Sequence, residues 1–124
     1  MKHSDITDKI LKGFYEVYNE LGDGFLESVY EKALLIVLAE NGLQVSNQKY
    51  LPVYFRNNLV GEFKADIIVN DMVIVELKAV KILLPEQEAQ VINYLKATGI
   101  EVALLLNFGR RPEFKRIVLE KRKF

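Results

Sequence analysis

The sequence predicts an α/β or α+β sandwich, with helices layered on a sheet. Three observations carry that reading. Two amino-terminal stretches place apolar residues at helical spacing; the middle of the chain changes to a strand-like pattern rich in β-branched and aromatic residues; and a proline-led third helix leads into a last apolar strand.

In the first helix Ser4 is placed to cap the amino terminus, and Ile6, Ile10, Leu11, Phe14, Val17, Tyr18 and Leu21 recur on one face until Gly22 stops it. After LGDG the spacing resumes in FLESVYEKALLIVLAENG, with Leu26, Val29, Tyr30, Ala33, Leu34, Val37 and Leu38 as the expected buried stripe and Gly42 as the stop. KYLPVYF, VGEFKADIIV and MVIVELKAV then read as an antiparallel meander, with turn signals at Asn57-Asn58 and Asn70-Asp71. Pro85 suits the first turn of a third helix running to Gly99, followed by the strand EVALLLNF.

The pattern also fixes a register. A two-residue loop at Asn70-Asp71 would oppose Asp66 to Val75 and mix polar with apolar on each face. A three-residue loop Asn70-Asp71-Met72 instead opposes Val69 to Val73, Ile67 to Val75 and Ala65 to Leu77, which gives one apolar face. The other face then sets Asp66 against Glu76, with Lys78 two residues on. Like charges directly opposed on a sheet are destabilising, so two carboxylates kept there call for a cation. An ion pair between Glu76 and Lys78 on a solvated edge is the competing explanation of this face.

Composition bounds the function. A chain of 124 residues fits one domain, residues 1–124, and 50% apolar with 27% charged residues argues against disorder. The absence of cysteine excludes a disulfide framework, a cysteine zinc site and a thiol nucleophile. His3, the sole histidine, is expected to be a terminal residue without a ligand role. GDGFLE lacks the third glycine and the preceding strand of a dinucleotide fingerprint, and there is neither a phosphate-binding GxxxxGK[ST] loop nor a GxSxG elbow. No apolar run reaches the roughly 18 residues of a membrane span, and the amino terminus lacks a signal-peptide core, so a cytoplasmic protein is expected. Net charge is zero, yet residues 109–124 carry seven Lys and Arg against two acids, a basic tail suited to phosphates or to plain solvation.

Hard oxygen ligands at Asp66 and Glu76 suit Mg²⁺ or Mn²⁺, and Lys78 on the same face could orient or deprotonate a water or stabilise a phosphate. GFLESVY, with Gly24, Glu27 and Tyr30, followed in order by KADIIV, IVELKAV, QVINYLKATG and LLLNFG, resembles the GxxExxY protein family of the PD-(D/E)xK nuclease superfamily. The resemblance implies a restriction-endonuclease-like αβββαβ core, a central mixed sheet flanked by helices. It also implies Glu27 as a helical acid, Asp66 as the second-strand acid and Glu76 with Lys78 as the ExK pair, while Ala65 replaces the usual proline. Gln90 and Tyr94 resemble an added QxxxY motif.

The expected catalytic residues are therefore Asp66, Glu76, Lys78 and Gln90, and the expected metal ligands are Glu27, Asp66 and Glu76. Tyr94, Arg110, Arg111, Lys115 and Arg116 are the expected nucleic-acid contacts, and Tyr30 is expected in the core. The expected function is divalent-metal-dependent nuclease activity, with Mg²⁺ or Mn²⁺ as cofactor and DNA as substrate; the alternative is a nuclease-fold module that binds nucleic acid or assembles without turnover. Exposed strand edges and the alternating stretch KRIVLEK are compatible with a homodimer.

Overall fold

The computed structural model describes residues 2–120, which form α1 (Ser4–Leu21), α2 (Glu27–Glu40), β1 (Val45–Phe55), β2 (Asn58–Val69), β3 (Val73–Lys78), α3 (Pro85–Thr98), β4 (Val102–Phe108) and β5 (Pro112–Val118). The strands lie in the order β1-β2-β3-β4-β5. β3 and β4 are parallel and joined by the α3 crossover, and the other neighbours are antiparallel, so the sheet is mixed. Relative to the expected αβββαβ core there is an additional amino-terminal helix and an edge strand, β5. Among the described residues no helix is long and apolar enough to cross a membrane.

Both faces of the sheet are covered, which explains why β3 and β4 are apolar along nearly their whole length. Ile10, Phe14, Leu34 and Leu38 of α1 and α2 pack with Val75 and Leu104 on one face. On the other, Val91 and Leu95 of α3 pack with Ile68, Ile74 and Leu105. At the end of β4, the Phe108 ring stacks on Tyr30 at 4.2 Å and meets Phe14 edge-on at 4.8 Å, tying both amino-terminal helices to one strand. Such ring pairs contribute about 0.5–1.5 kcal/mol each beyond their burial.

The β2–β3 register is the one the pattern predicts: Val69 opposes Val73 and Ile67 opposes Val75. Other details differ. Ser4 is the first helical residue and His3 holds the cap position, its carbonyl accepting from the Thr7 amide at 2.9 Å. The first hairpin turns on Arg56-Asn57, one residue earlier than expected. Both have positive φ, as a two-residue turn matching strand twist requires, and Phe55 pairs with Asn58. Leu26 and Val29 are exposed because α2 starts only at Glu27, which leaves Leu26 outside the helix and turns Val29 away from Tyr30, Leu34 and Leu38. Part of the basic tail, residues 121–124, lies outside the described residues.

A buried amide locks the loop after β3. Asn107, fully buried on β4, accepts from the Val80 N–H at 3.0 Å and donates to the Val80 carbonyl at 2.8 Å. Two residues on, a Cβ at Gly109 would stand 2.5 Å from that same carbonyl, so the position admits only glycine without moving the backbone. Asn107→Ala strands both Val80 groups and should cost about 1–3 kcal/mol, read as a lower urea midpoint at unchanged slope. Gly109→Ala should also destabilise; parent-like midpoints for both variants would show that the clamp carries no weight.

Candidate functional site

The β2–β3 ladder ends at Ile67 and Val75, and side chains supply the next bonds. The Asp66 N–H donates to Glu76 Oε1 at 2.8 Å, and the Leu77 N–H donates to Asp66 Oδ2 at 2.9 Å. Each carboxylate thus caps an amide on the opposing strand where pairing stops, and the two acids are held side by side. Glu76 is 4% exposed. Burial, then the Asp66 charge, push its carboxyl up to about 8, against the opposing pull of the Asp66 amide and of Lys78.

Asp66 reaches this place through a kink the sequence did not announce. Between the pairs Asn47–Ile67 and Lys49–Ala65, Gln48 takes φ 52 and the strand alternation slips. Ala65 consequently packs with Leu51 and Ile68 on the α3 side, not with Ile67 on the apolar face predicted for it. The Gln48 amide donates to Glu31 Oε1 at 2.5 Å and to Asp66 Oδ1 at 3.3 Å. Glu27, Ser28, Glu31, Gln48, Asp66 and Leu77 line a cavity of about 180 Å³. Glu31 was not singled out from sequence, although it stands one helical turn after Glu27; burial, with Asp66 and Glu27 nearby, raises its carboxyl pKa against the Gln48 bond and Lys32.

The residues of GFLESVY divide their labour. Gly24 takes φ 103 in the loop before α2. Tyr30 is fully buried, its hydroxyl donating to the Gly22 carbonyl at 2.6 Å and accepting from the Phe25 amide at 3.2 Å. Both therefore shape the loop, while the exposed Glu27 and Ser28 at the start of α2 line the cavity.

Lys78 ends β3, half-buried, and makes no hydrogen bond or ion pair among the described residues. The Glu76–Lys78 ion pair considered above is thus not formed. Tyr94 is buried, 5% exposed, with its ring centroid 5.4 Å from that of Phe63 in an edge-to-face pair. Burial, followed by the charges of Glu76 and Asp66, pushes its phenol up to about 12. It lies within electrostatic reach of both carboxylates, and its ring is too enclosed for the nucleic-acid contact expected of it. Gln90 is exposed one turn earlier on α3. The basic residues do not form one patch. Arg110 and Arg111 are exposed in the β4–β5 turn and share a cavity of about 430 Å³ with Lys81. Lys115 pairs with Glu88 at 2.8 Å, and Arg116 donates to the Lys2 carbonyl. Those two lie midway along β5, on opposite faces, because neighbours in a strand alternate.

The donor set fits a hard divalent cation. Asp66 and Glu76 offer only oxygen, and Mg²⁺ commonly uses one or two carboxylates and keeps its waters. Among the described residues no three His, Cys, Asp or Glu side chains converge on one point. The raised Glu76 pKa has a consequence for stability. Its proton is held more tightly folded than unfolded, so the contribution is full below about 4.5 and is lost as pH rises through about 8. Metal-free protein should lose thermal stability across that window, and Glu76→Gln should flatten the profile. A parent profile unchanged by the substitution would place the titration elsewhere.

The sequence profile of the PD-(D/E)XK nuclease superfamily matches residues 4–117. Comparison with curated proteins gives no match. Among solved structures, the crystal structure of SSO0001 is similar, with a TM-score of 0.62 at 16% identity over 77% of this chain and 50% of that one. The chain thus spans half the length of that protein, and the likeness concerns the fold. With a mixed five-stranded sheet between helices and a profile covering nearly its whole length, the chain belongs to the PD-(D/E)XK nuclease superfamily.

Proposed function

We propose that this chain is a divalent-metal-dependent nuclease of the GxxExxY type that hydrolyses phosphodiester bonds in DNA. The observation that carries the reading is the carboxylate pair at the end of the β2–β3 ladder, next to a lysine that acts on Glu76 by its charge without closing an ion pair among the described residues. A surface ion pair would have joined Glu76 to Lys78. Instead a buried acid is held beside a second acid, an arrangement that is costly without a cation.

Asp66 and Glu76 would hold Mg²⁺ or Mn²⁺, with Glu27 acting directly or through water. A divalent cation bound there neutralises charge on the phosphate and makes water more acidic. Lys78, unpaired at the strand end, orients or deprotonates the attacking water or meets the phosphate charge. Gln90, exposed on α3 one turn before Tyr94, would assist from that helix. Arg110, Arg111 and Lys81 hold the nucleic-acid backbone at the other side of the strand ends.

Asp66→Ala, Glu76→Ala and Lys78→Ala should each abolish cleavage of a labelled DNA duplex or single strand, and EDTA should do the same to the parent; an RNA strand of the same sequence tests the substrate class. Mn²⁺ should raise the melting temperature of the parent and not of Glu76→Gln, because a ligand that binds only the folded state stabilises it. Cleavage by metal-free protein, or full activity in Lys78→Ala, would refute the mechanism. No cleavage together with no Mn²⁺ stabilisation would favour the non-catalytic module. Charge reversal at Arg110 and Arg111 should reduce the salt dependence of DNA affinity, since each phosphate contact releases counterions; an unchanged slope would remove that turn from the interface.

A further inference from the structure

β1 and β2 outrun the rest of the sheet. Continuing the register past Ile67–Val75 sets Lys64 opposite Lys78, where β3 ends, so β2 residues 58–63 and their β1 partners project beyond it. Six strand residues span about 20 Å. This two-stranded arm is braced on one face: Phe63 meets Tyr94, and Leu51 lies buried in the cluster under α3. Its opposite face is open. Alternation puts Tyr50, Tyr54, Glu62 and Lys64 there, and the bulge after Val53 adds Leu59 opposite Tyr54.

That open face continues the candidate site. Asp66 lies on it with Gln48 and Glu31, since the alternation slips only between Asp66 and Ile67. Tyr50 is 51% and Tyr54 62% exposed, more than packed aromatic rings leave open. They stand four residues apart on one strand, about 13 Å, which matches two steps of an extended nucleotide chain. The Tyr50 hydroxyl donates to Glu62 Oε1 at 2.8 Å, which occupies the arm's one acid on this face, and Lys64 pairs directly across from Tyr50.

The geometry points to the arm as a stacking platform for an unpaired stretch of nucleic acid, with Tyr50 and Tyr54 each receiving a base and Lys64 meeting a phosphate. It rests on the nuclease reading for the identity of the ligand, and it adds a place where the strand leaving the carboxylates is gripped and a preference for single-stranded or frayed substrate. Rings suit this task because every base has a π-face, so grip comes without sequence preference. Rigidity comes from α3 beneath.

The test is fluorescence anisotropy with a labelled twelve-residue oligothymidylate in EDTA, where cleavage cannot interfere, compared with a duplex of equal length. Tyr50→Ala and Tyr54→Ala should each weaken single-strand binding by roughly 5- to 150-fold, the range of one lost base stack. Tyr54→Phe should keep affinity, and Tyr54→Leu, which suits the strand but has no ring, should lose it. The Mn²⁺ shift in melting temperature should persist in all four variants. Parent-like affinity in a Tyr50→Ala/Tyr54→Ala double variant overturns the platform, as does a parent that binds no oligonucleotide. A parent dimer in sedimentation that these substitutions dissociate also overturns it, by showing that a second copy covers the face. If the parent neither cleaves nor responds to Mn²⁺ yet binds through the tyrosines, the catalytic reading fails and the platform stands.

Discussion

Where β2 and β3 stop pairing, two carboxylates take over the hydrogen bonds of the sheet, and the layout of the site follows from that exchange. Asp66 and Glu76 each accept an amide from the opposite strand. The pair is thereby held in place before any cation arrives. The same bonds let β1 and β2 run on past the end of β3 without orphaning the Asp66 and Leu77 amides, which a buried end would not tolerate. Structure and the proposed chemistry thus fall on the same oxygens, and an alanine at either position removes a strand cap along with a proposed ligand.

Around that point the fold divides its supports. The face carrying α1 and α2 fixes the acidic side through the Tyr30 and Gly24 loop and the stack on Phe108. Tyr18 adds a tie from α1, its hydroxyl standing 2.7 and 2.6 Å from the Gly109 and Arg110 carbonyls. The buried Asn107 holds Val80, two residues after β3 ends at Lys78. Basic and acidic walls are therefore set by separate contacts. Either can vary while the other keeps its shape.

Much of this was legible because strand period and turn length suffice to set a register. The clean apolar face of Ile67, Val69, Val73 and Val75 left one sensible pairing, and it placed Asp66 near Glu76. The kink at Gln48 was not legible. Glutamine has no preference for positive φ, and its conformation is held by Glu31 and Asp66, residues distant in sequence. Glu31 was passed over for the same reason, since an acid on a helix is ordinary until a strand is folded against it. Asn107 sits inside an unbroken apolar run, LLLNF, where its amide looked incidental; only the third dimension shows Val80 across from it. The basic residues misled by adjacency, because consecutive positions on β5 point to opposite sides of the sheet.

The two margins of the sheet, β1 and β5, each carry a proline, Pro52 and Pro112. A proline offers no amide to a newcomer, and on β1 the twist at Gln48 and its neighbour Lys49 interrupt what would otherwise be an eleven-residue template. Long exposed margins of this kind recruit further strands and seed aggregates when left regular. Here the irregularity that brings Asp66 into position also spoils the margin for growth, so one distortion both places a carboxylate and guards the edge against further strands.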